Sequence, residues 1–256
     1  MTLAPSPFAR AFEGEPFPSE SPALRAAPSP VPAGGLLLWL DAGRGVTLDG
    51  ATARIAAWTS RTGSLSASQG TTAAMPVFAA NAINGRAAVL FDGADDTLRA
   101  DGVADLLSGT AVPFSWFTVE RAASVGGNRV ALSMVGGATF HHAYNSDAHV
   151  VFSRSNDAGV GAAAIDATGV ATTNATVASY VYDGSGLTAW RDGAPVATGG
   201  PAGGGFTATA FAIGAAANTS AFYAGAIGEA LVYARALSSA ERATVEAYLK
   251  AKWGTP

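Results

Sequence analysis

From Gly34 onward, short apolar runs alternate with turn-forming residues: "GGLLLWLDA", "AAVLFDG", "FSWFTVE", "RVALSMVGG", "HVVFSR", "ASYVYDG", "LTAWRDG", "TAFAIGA" and "IGEALVYA". Runs of roughly four to eight residues, bounded by Gly, Asp and Asn at this density, predict many antiparallel strands. Within "SYVYDGSGLTAWRDGAPVAT", Asp183-Gly184-Ser185-Gly186 separates one pair of runs and Asp192-Gly193 the next. Asp-Gly suits a two-residue hairpin turn because both positions take positive φ at little cost. No internal repeat of roughly 20–50 residues appears, which argues against propellers and solenoids. The expected fold is all-β, a single antiparallel β-sandwich or jelly roll over residues 35–256.

A C-terminal α-helix closes this pattern. Ser238 and Glu241 form an S-x-x-E capping box, which satisfies two N–H groups that a helix start leaves without partners. Val245, Tyr248, Leu249 and Trp253 follow at helical spacing and form one apolar stripe. Lys250 and Lys252 sit where the helix dipole favours cations, and Gly254 suits the residue after the C-cap. The stripe is expected to pack on the sandwich, with Tyr248 and Trp253 as core rather than as a binding platform.

Residues 1–34 differ in texture. They hold eight of the 13 prolines: Pro5, Pro7, Pro16, Pro18, Pro22, Pro28, Pro30 and Pro32. Proline fixes φ, lacks an N–H and restricts its predecessor, so an extended, polyproline-like arm is expected. Such a segment reads either as a disordered tail or linker, or as an arm that docks on a neighbour. Phe8, Phe12 and Phe17 are its apolar anchors for docking on a neighbouring copy or another protein.

Composition then removes several classes of function. Hydrophobic residues make up 49% of the 256 and charged residues 13%, enough apolar content for a sizeable core. The net charge is −4, and the only two lysines are Lys250 and Lys252, so no basic surface for a phosphate backbone is expected. The absence of cysteine excludes disulfides, thiolate metal sites and cysteine nucleophiles. No run approaches the roughly 18 apolar residues of a membrane span. The start, "MTLAPSPFARAFEGEP", has no basic n-region followed by an apolar run, so export without a signal peptide, or a place in a particle, is expected.

Four segments carry a resemblance to a known family. "LLLWLDAGRGV" looks like an opening strand, and "NGRAAVLFDGADDTLRA" like an F-D-G-x-x-D segment after an N-G turn. "YVYDGSGLTAWRDGAPV" is similar to a Y-D-G…L-x-x-Y-x-N-G hairpin, with Trp190 and Asp192 replacing its Tyr and Asn. "AGAIGEALVYARALSSAERATVEAYLKAKWG" looks like a closing G-x-I-G-E strand followed by its helix, and is the most specific of the four. Together they resemble the concanavalin A-like lectin/glucanase superfamily, in its laminin G-like bacterial and phage branch. The resemblance implies a jelly roll of two apposed antiparallel sheets with ligand loops at the rim. That superfamily holds glycan-binding modules, glycosidases and structural domains of particles, so residues must decide among them.

Glycosidases of this fold place E-x-D-x-E, or E-x-D-x-x-E with a bulge, on one strand, so that one carboxylate attacks while another protonates. The strand-like segments here offer Glu120 and Glu229, neither with an acidic residue two, four or five positions away. Glu229 reads as a structural acid of the closing strand. "TFHHAYNSDAH" gathers His141, His142 and His149 with Asp147 and reads as a polar loop, because adjacent histidines on a strand face opposite ways. No enzymatic activity and no required cofactor are expected.

Asp92, Asp95 and Asp96 in "FDGADDTLRA" are the candidate metal ligands, with Ca²⁺ the ion their oxygens suit; the alternative is a plain Asp-Gly turn. The glycan-binding candidates pair aromatic with polar residues in loop-like sequence: Trp58 with Arg61, Tyr144 with Asn145 and Asp147, and Asn218 with Phe222 and Tyr223. Trp39, Trp116 and Trp190 lie inside strand runs and read as core. Two functions result. One is a structural or decoration protein on a phage-like particle (head, tail or fibre), anchored by its arm and touching host glycan. The other is a carbohydrate-binding or adhesion module outside any virion.

Overall fold

The computed structural model describes residues 29–136, 139–145, 148–154, 163–168, 170–199, 205–216 and 220–256. Each apolar run quoted above falls on a strand. Among the described residues, one eight-stranded sheet runs Ala194–Gly199, Leu187–Arg191, Thr176–Tyr182, Phe114–Ala122, Ala224–Tyr233, Arg86–Asp92 and Val77–Ile83, with Leu36–Asp41 also pairing on Ala224–Tyr233. A nine-stranded sheet runs Ala163–Thr168, Ala148–Arg154, Thr139–Asn145, Arg129–Gly136, Ala208–Ile213, Leu98–Arg99, Ser66–Ser68, Ile55–Thr59 and Val46–Leu48. All registered strand pairs within both sheets are antiparallel. The fold is the antiparallel β-sandwich jelly roll that the sequence pattern predicts.

The turns form for the reasons given by their residues. Asp192 and Gly193 both take positive φ, at 51° and 84°, between the Leu187–Arg191 and Ala194–Gly199 strands. At the preceding turn, Asp183 Oδ1 accepts the N–H groups of Ser185 and Gly186, each at 2.8 Å. These bonds hold the Asp183 carboxyl below the ordinary carboxylate range.

The Phe114–Ala122 strand divides two cores by simple alternation. Phe114, Trp116 and Ala122 face the space between the sheets, with Trp58, Phe91, Tyr180, Phe211 and Tyr223. Phe117 and Val119 face the other way, into a second core with Leu231, Tyr233 and the closing helix. That helix spans Ser239–Trp253, and its capping box is complete. Ser238 Oγ accepts the Glu241 N–H at 3.3 Å, and the Glu241 carboxylate accepts the Ser238 N–H at 3.0 Å. Gly254 takes the left-handed conformation and donates its N–H to Lys250 O at 2.9 Å, ending the helix.

The helix stripe packs as expected: Val245, Leu249 and Trp253 are buried and Tyr248 is half-buried. Burying Val245 and Leu249 contributes about 1.5–3 kcal/mol each. Gly228 is required beneath it, because a Cβ there would overlap the Trp253 ring. Trp39 and Trp116 are core, but Trp190 is only half-buried on the helix side, where Arg242 sits 4.2 Å over its ring. Val31, within the segment assigned to the arm, is buried in the helix-side core. A second helix, Asp101–Leu107, was not legible in the sequence; it buries Val103, Ala104 and Leu107.

Candidate functional site

Glu229 is structural, as its place on the closing strand suggests. Its carboxylate accepts Trp39 Nε1 at 2.6 Å, Trp253 Nε1 at 2.7 Å, Lys252 Nζ at 2.7 Å and Tyr248 Oη at 3.0 Å. Asp41 shares Lys252 at 2.7 Å. Burial alone would lower the Lys252 pKa, but the two carboxylates outweigh it and raise the value. The acid thus ties the first strand, the last strand and the helix together.

The histidine segment is a strand, Thr139–Asn145, where the sequence suggested a loop. His142 faces the interior and meets Glu120 from the opposite sheet, with Nε2 at 2.8 and 2.7 Å from its two oxygens. Tyr144 donates to Glu120 Oε1 at 2.5 Å, Arg191 donates to Tyr144 Oη at 2.8 Å, and Tyr180 Oη lies 2.6 Å from His142 Nδ1. Glu120 and His142 are both fully buried. This network joins the two sheets, and Glu120 has no access to a glycosidic bond.

Three glycan candidates are corrected by burial, two of them through strand alternation. Trp58 is fully buried, because the Ile55–Thr59 strand turns its ring into the central core. Tyr144 is spent on Glu120 inside the sandwich, and Tyr223 is fully buried against Phe91. None of the three offers a ring face to a ligand. Phe222 is half-buried, and Arg61 is exposed, stacked at 3.7 Å over Trp39 rather than beside Trp58. The Asn145 side chain, Asp147 and Asn218 lie outside the described residues, as do Phe8, Phe12 and Phe17.

The acidic trio does come together. Asp92, Asp95 and Asp96 each bring a carboxylate oxygen within 4.8 Å of the others. Asp92 Oδ1 accepts the Ala94 N–H at 2.8 Å, and Gly93 takes φ 80°, so the Asp-Gly turn is real as well. Asp96 is 2% exposed; its Oδ2 accepts the Asp92 N–H at 2.9 Å, while Oδ1 has no hydrogen-bond partner. Arg54 stands 3.8 Å from that oxygen. Burial pushes the Asp96 pKa up to about 6, against the lowering effect of the Asp92 N–H. A buried carboxylate oxygen without a donor is costly unless a cation or proton satisfies it. The donor set therefore fits a hard divalent cation such as Ca²⁺.

Next to this trio a cleft of about 440 Å³ opens on the helix-bearing face of the eight-stranded sheet. Val77, Leu90 and Ala226 form its apolar floor, and Asp92, Asp96 and Arg121 supply the polar groups. Strand geometry explains the set: Val77 pairs with Leu90 and Arg121 with Ala226, so their side chains share one face. Arg121 is exposed, and its side chain makes no hydrogen bond with a described residue. Sequence reasoning passed over it, although parity gave the signal: it follows Glu120 on a strand and must face the opposite way.

The comparisons with known proteins agree with this architecture. The Laminin_G_3 family model, described as concanavalin A-like lectin/glucanases superfamily, matches residues 92–241. The chain belongs to that superfamily. No curated protein sequence matches it.

Three solved structures share the fold at low identity. Domain 4 of AbnA, a GH43 extracellular arabinanase from Geobacillus stearothermophilus in complex with arabinotriose, superposes with a TM-score of 0.58 at 15% identity, covering 83% of this chain and 98% of that one. The binding domain of Paraclostridial Mosquitocidal Protein 1 gives 0.60 at 11%, covering 87% and 55%. A K499G mutant of the NanB sialidase from Streptococcus pneumoniae gives 0.51 at 12%, covering 61% of this chain and 27% of that one.

Proposed function

We propose that this protein is a non-enzymatic carbohydrate-binding module whose ligand lies in the Arg121 cleft. The observation that carries this reading is the cleft's chemistry: an apolar strand face for a sugar ring, flanked by two carboxylates and by an arginine side chain that no described residue hydrogen-bonds. The fold shared with an arabinotriose-bound domain and with the binding domain of a mosquitocidal protein supports it. Ca²⁺ on Asp92, Asp95 and Asp96 fixes the carboxylate side of the cleft and meets the Asp96 oxygen that no hydrogen bond satisfies. Its role is to hold the rim in place. A glycan array that includes arabinan fragments, run with Ca²⁺ and with chelator, tests the reading. Binding that requires Arg121 supports it, and an array blank under both conditions overturns it.

A second reading places the module on the surface of a phage-like particle, outside the cell. The Pro-rich composition of residues 1–34 and its spaced Phe8, Phe12 and Phe17 favour an arm that docks on a neighbour. The two readings are compatible, since a particle surface is also a place from which to hold host glycan. Deleting residues 1–28, which spares the buried Val31, should abolish assembly with its own copies or with particle proteins. Unchanged assembly would remove this reading and leave the glycan module intact. Among the described residues no helix is long and apolar enough to cross a membrane.

A further inference from the structure

A separate cleft of about 360 Å³ is lined by Arg44, Gly45, Thr59, Ser60 and Arg61. Two arginines line it, from two segments that the fold brings together. Gly45 makes the approach: its φ is 76°, its carbonyl accepts the Thr59 N–H at 2.8 Å, and any Cβ would collide with the Thr59 carbonyl. That contact brings the Arg44 turn against the edge that carries Arg61.

Arg61 is held ready rather than consumed. Its guanidinium lies 3.7 Å over the Trp39 ring, and its backbone N–H donates to Trp39 O at 2.8 Å. Trp39 is itself anchored through Nε1 to Glu229. Arg61 uses only Nη1 toward described residues, in long contacts of 3.4 Å to Asp41 Oδ2 and to Tyr248 Oη. Both acceptors have closer ties elsewhere, Asp41 to Lys252 at 2.7 Å and Tyr248 to Glu229 at 3.0 Å. The Nε and Nη2 donors of Arg61 are unspent among the described residues. Arg44 is exposed, and its side chain has no partner among them.

The local charges leave a surplus. Lys252 and Arg61 stand against Asp41 and Glu229, which balances two positive groups with two negative ones and leaves Arg44 uncompensated. A pair of guanidinium forks with free donors matches a planar or tetrahedral oxyanion. The cleft volume lies in the range of small-molecule pockets, roughly 300–1,000 Å³, and exceeds a bare oxyanion several times over. We propose that this Arg44–Arg61 cleft binds the carboxylate or sulfate group of an acidic saccharide, as a site distinct from the Arg121 cleft.

Calorimetric titration of the full chain tests this with four probes: oligogalacturonate, a chondroitin-type sulfated oligosaccharide, a neutral cello-oligosaccharide of equal length, and inorganic sulfate. The acidic saccharides should bind at least about tenfold more tightly than both the neutral one and inorganic sulfate. The stronger of the two acidic probes identifies the oxyanion. Arg44→Ala, on an exposed side chain, should lose that preference with an unchanged melting temperature. Arg61→Lys, which keeps the charge and removes the fork, should weaken it as well, while Arg121→Ala should leave it intact. Equal binding of acidic and neutral saccharides, or an Arg44→Ala variant that binds as the parent does, would overturn the proposal. Loss of acidic-saccharide binding in Arg121→Ala alone would overturn it too, by assigning that ligand to the other cleft.

Discussion

Glu120 and His142 stand on opposite sheets and meet inside the sandwich, with Oε2 2.7 Å from Nε2 and both side chains fully buried. Tyr144 and Tyr180 complete the hydrogen bonding, so the pair is satisfied rather than stranded. Removing Glu120 takes away the carboxylate that His142 Nε2 and Tyr144 Oη share in a low-dielectric interior. Glu120→Ala should therefore cost about 3–5 kcal/mol of stability, measured as a fall in the urea midpoint.

The same pair sets an acid limit. Burial alone would raise the Glu120 pKa, but the charge and hydrogen bond of His142, with Tyr144 and Arg191, hold it below the ordinary 4.5. A depressed folded value means stability that is present above the unfolded value and lost as pH falls through the folded one. The urea midpoint of the parent should therefore decline below about pH 4.5, and Glu120→Gln should show a flatter decline over the same range. Parallel curves for the two proteins would contradict the assignment.

Asp96 has the opposite sign. Its folded pKa of about 6 lies above the ordinary 3.8. In the absence of a cation, stability should fall as pH rises between those two values and level off above them. With chelator present, Asp96→Asn should melt above the parent near about pH 7, and the gap should close toward about pH 4. Ca²⁺ should raise the parent's melting temperature at neutral pH and leave Asp96→Asn unmoved.

The helix clasp gives a further test. Trp253 fills the helix-side core over Gly228 and donates to Glu229 at 2.7 Å. Trp253→Ala should cost about 3–5 kcal/mol, and Ser238→Ala, which loses only the cap, about 1 kcal/mol. Denaturant unfolding of both variants checks the ratio.

The closing helix was legible because its signals are local: Ser238, Glu241 and Gly254 act within a turn of their own positions. The strands were legible because the apolar runs are short and well punctuated. The interior network was hidden, since Glu120 and His142 lie 22 residues apart and meet only after two sheets stack. The aromatic candidates failed for a related reason. Trp58, Tyr144 and Tyr223 sit beside turn-like residues, yet all three rings are buried, Trp58 and Tyr144 by pleat parity and Tyr223 in the segment just before the closing strand. The Asp92–Asp95–Asp96 trio was found because a tight turn gathers neighbours in sequence. Arg121 was missed because its value depends on Val77, Leu90 and Ala226, which only sheet register places beside it.

Saccharide titration of the parent against Arg121→Ala tests the central claim most directly. The Arg121 side chain is exposed and makes no hydrogen bond with a described residue, so the variant should keep the parent's melting temperature. The ligand identified on the array should bind the parent and lose at least about tenfold in affinity with Arg121→Ala. A variant that binds it as tightly as the parent would contradict a carbohydrate site in this cleft.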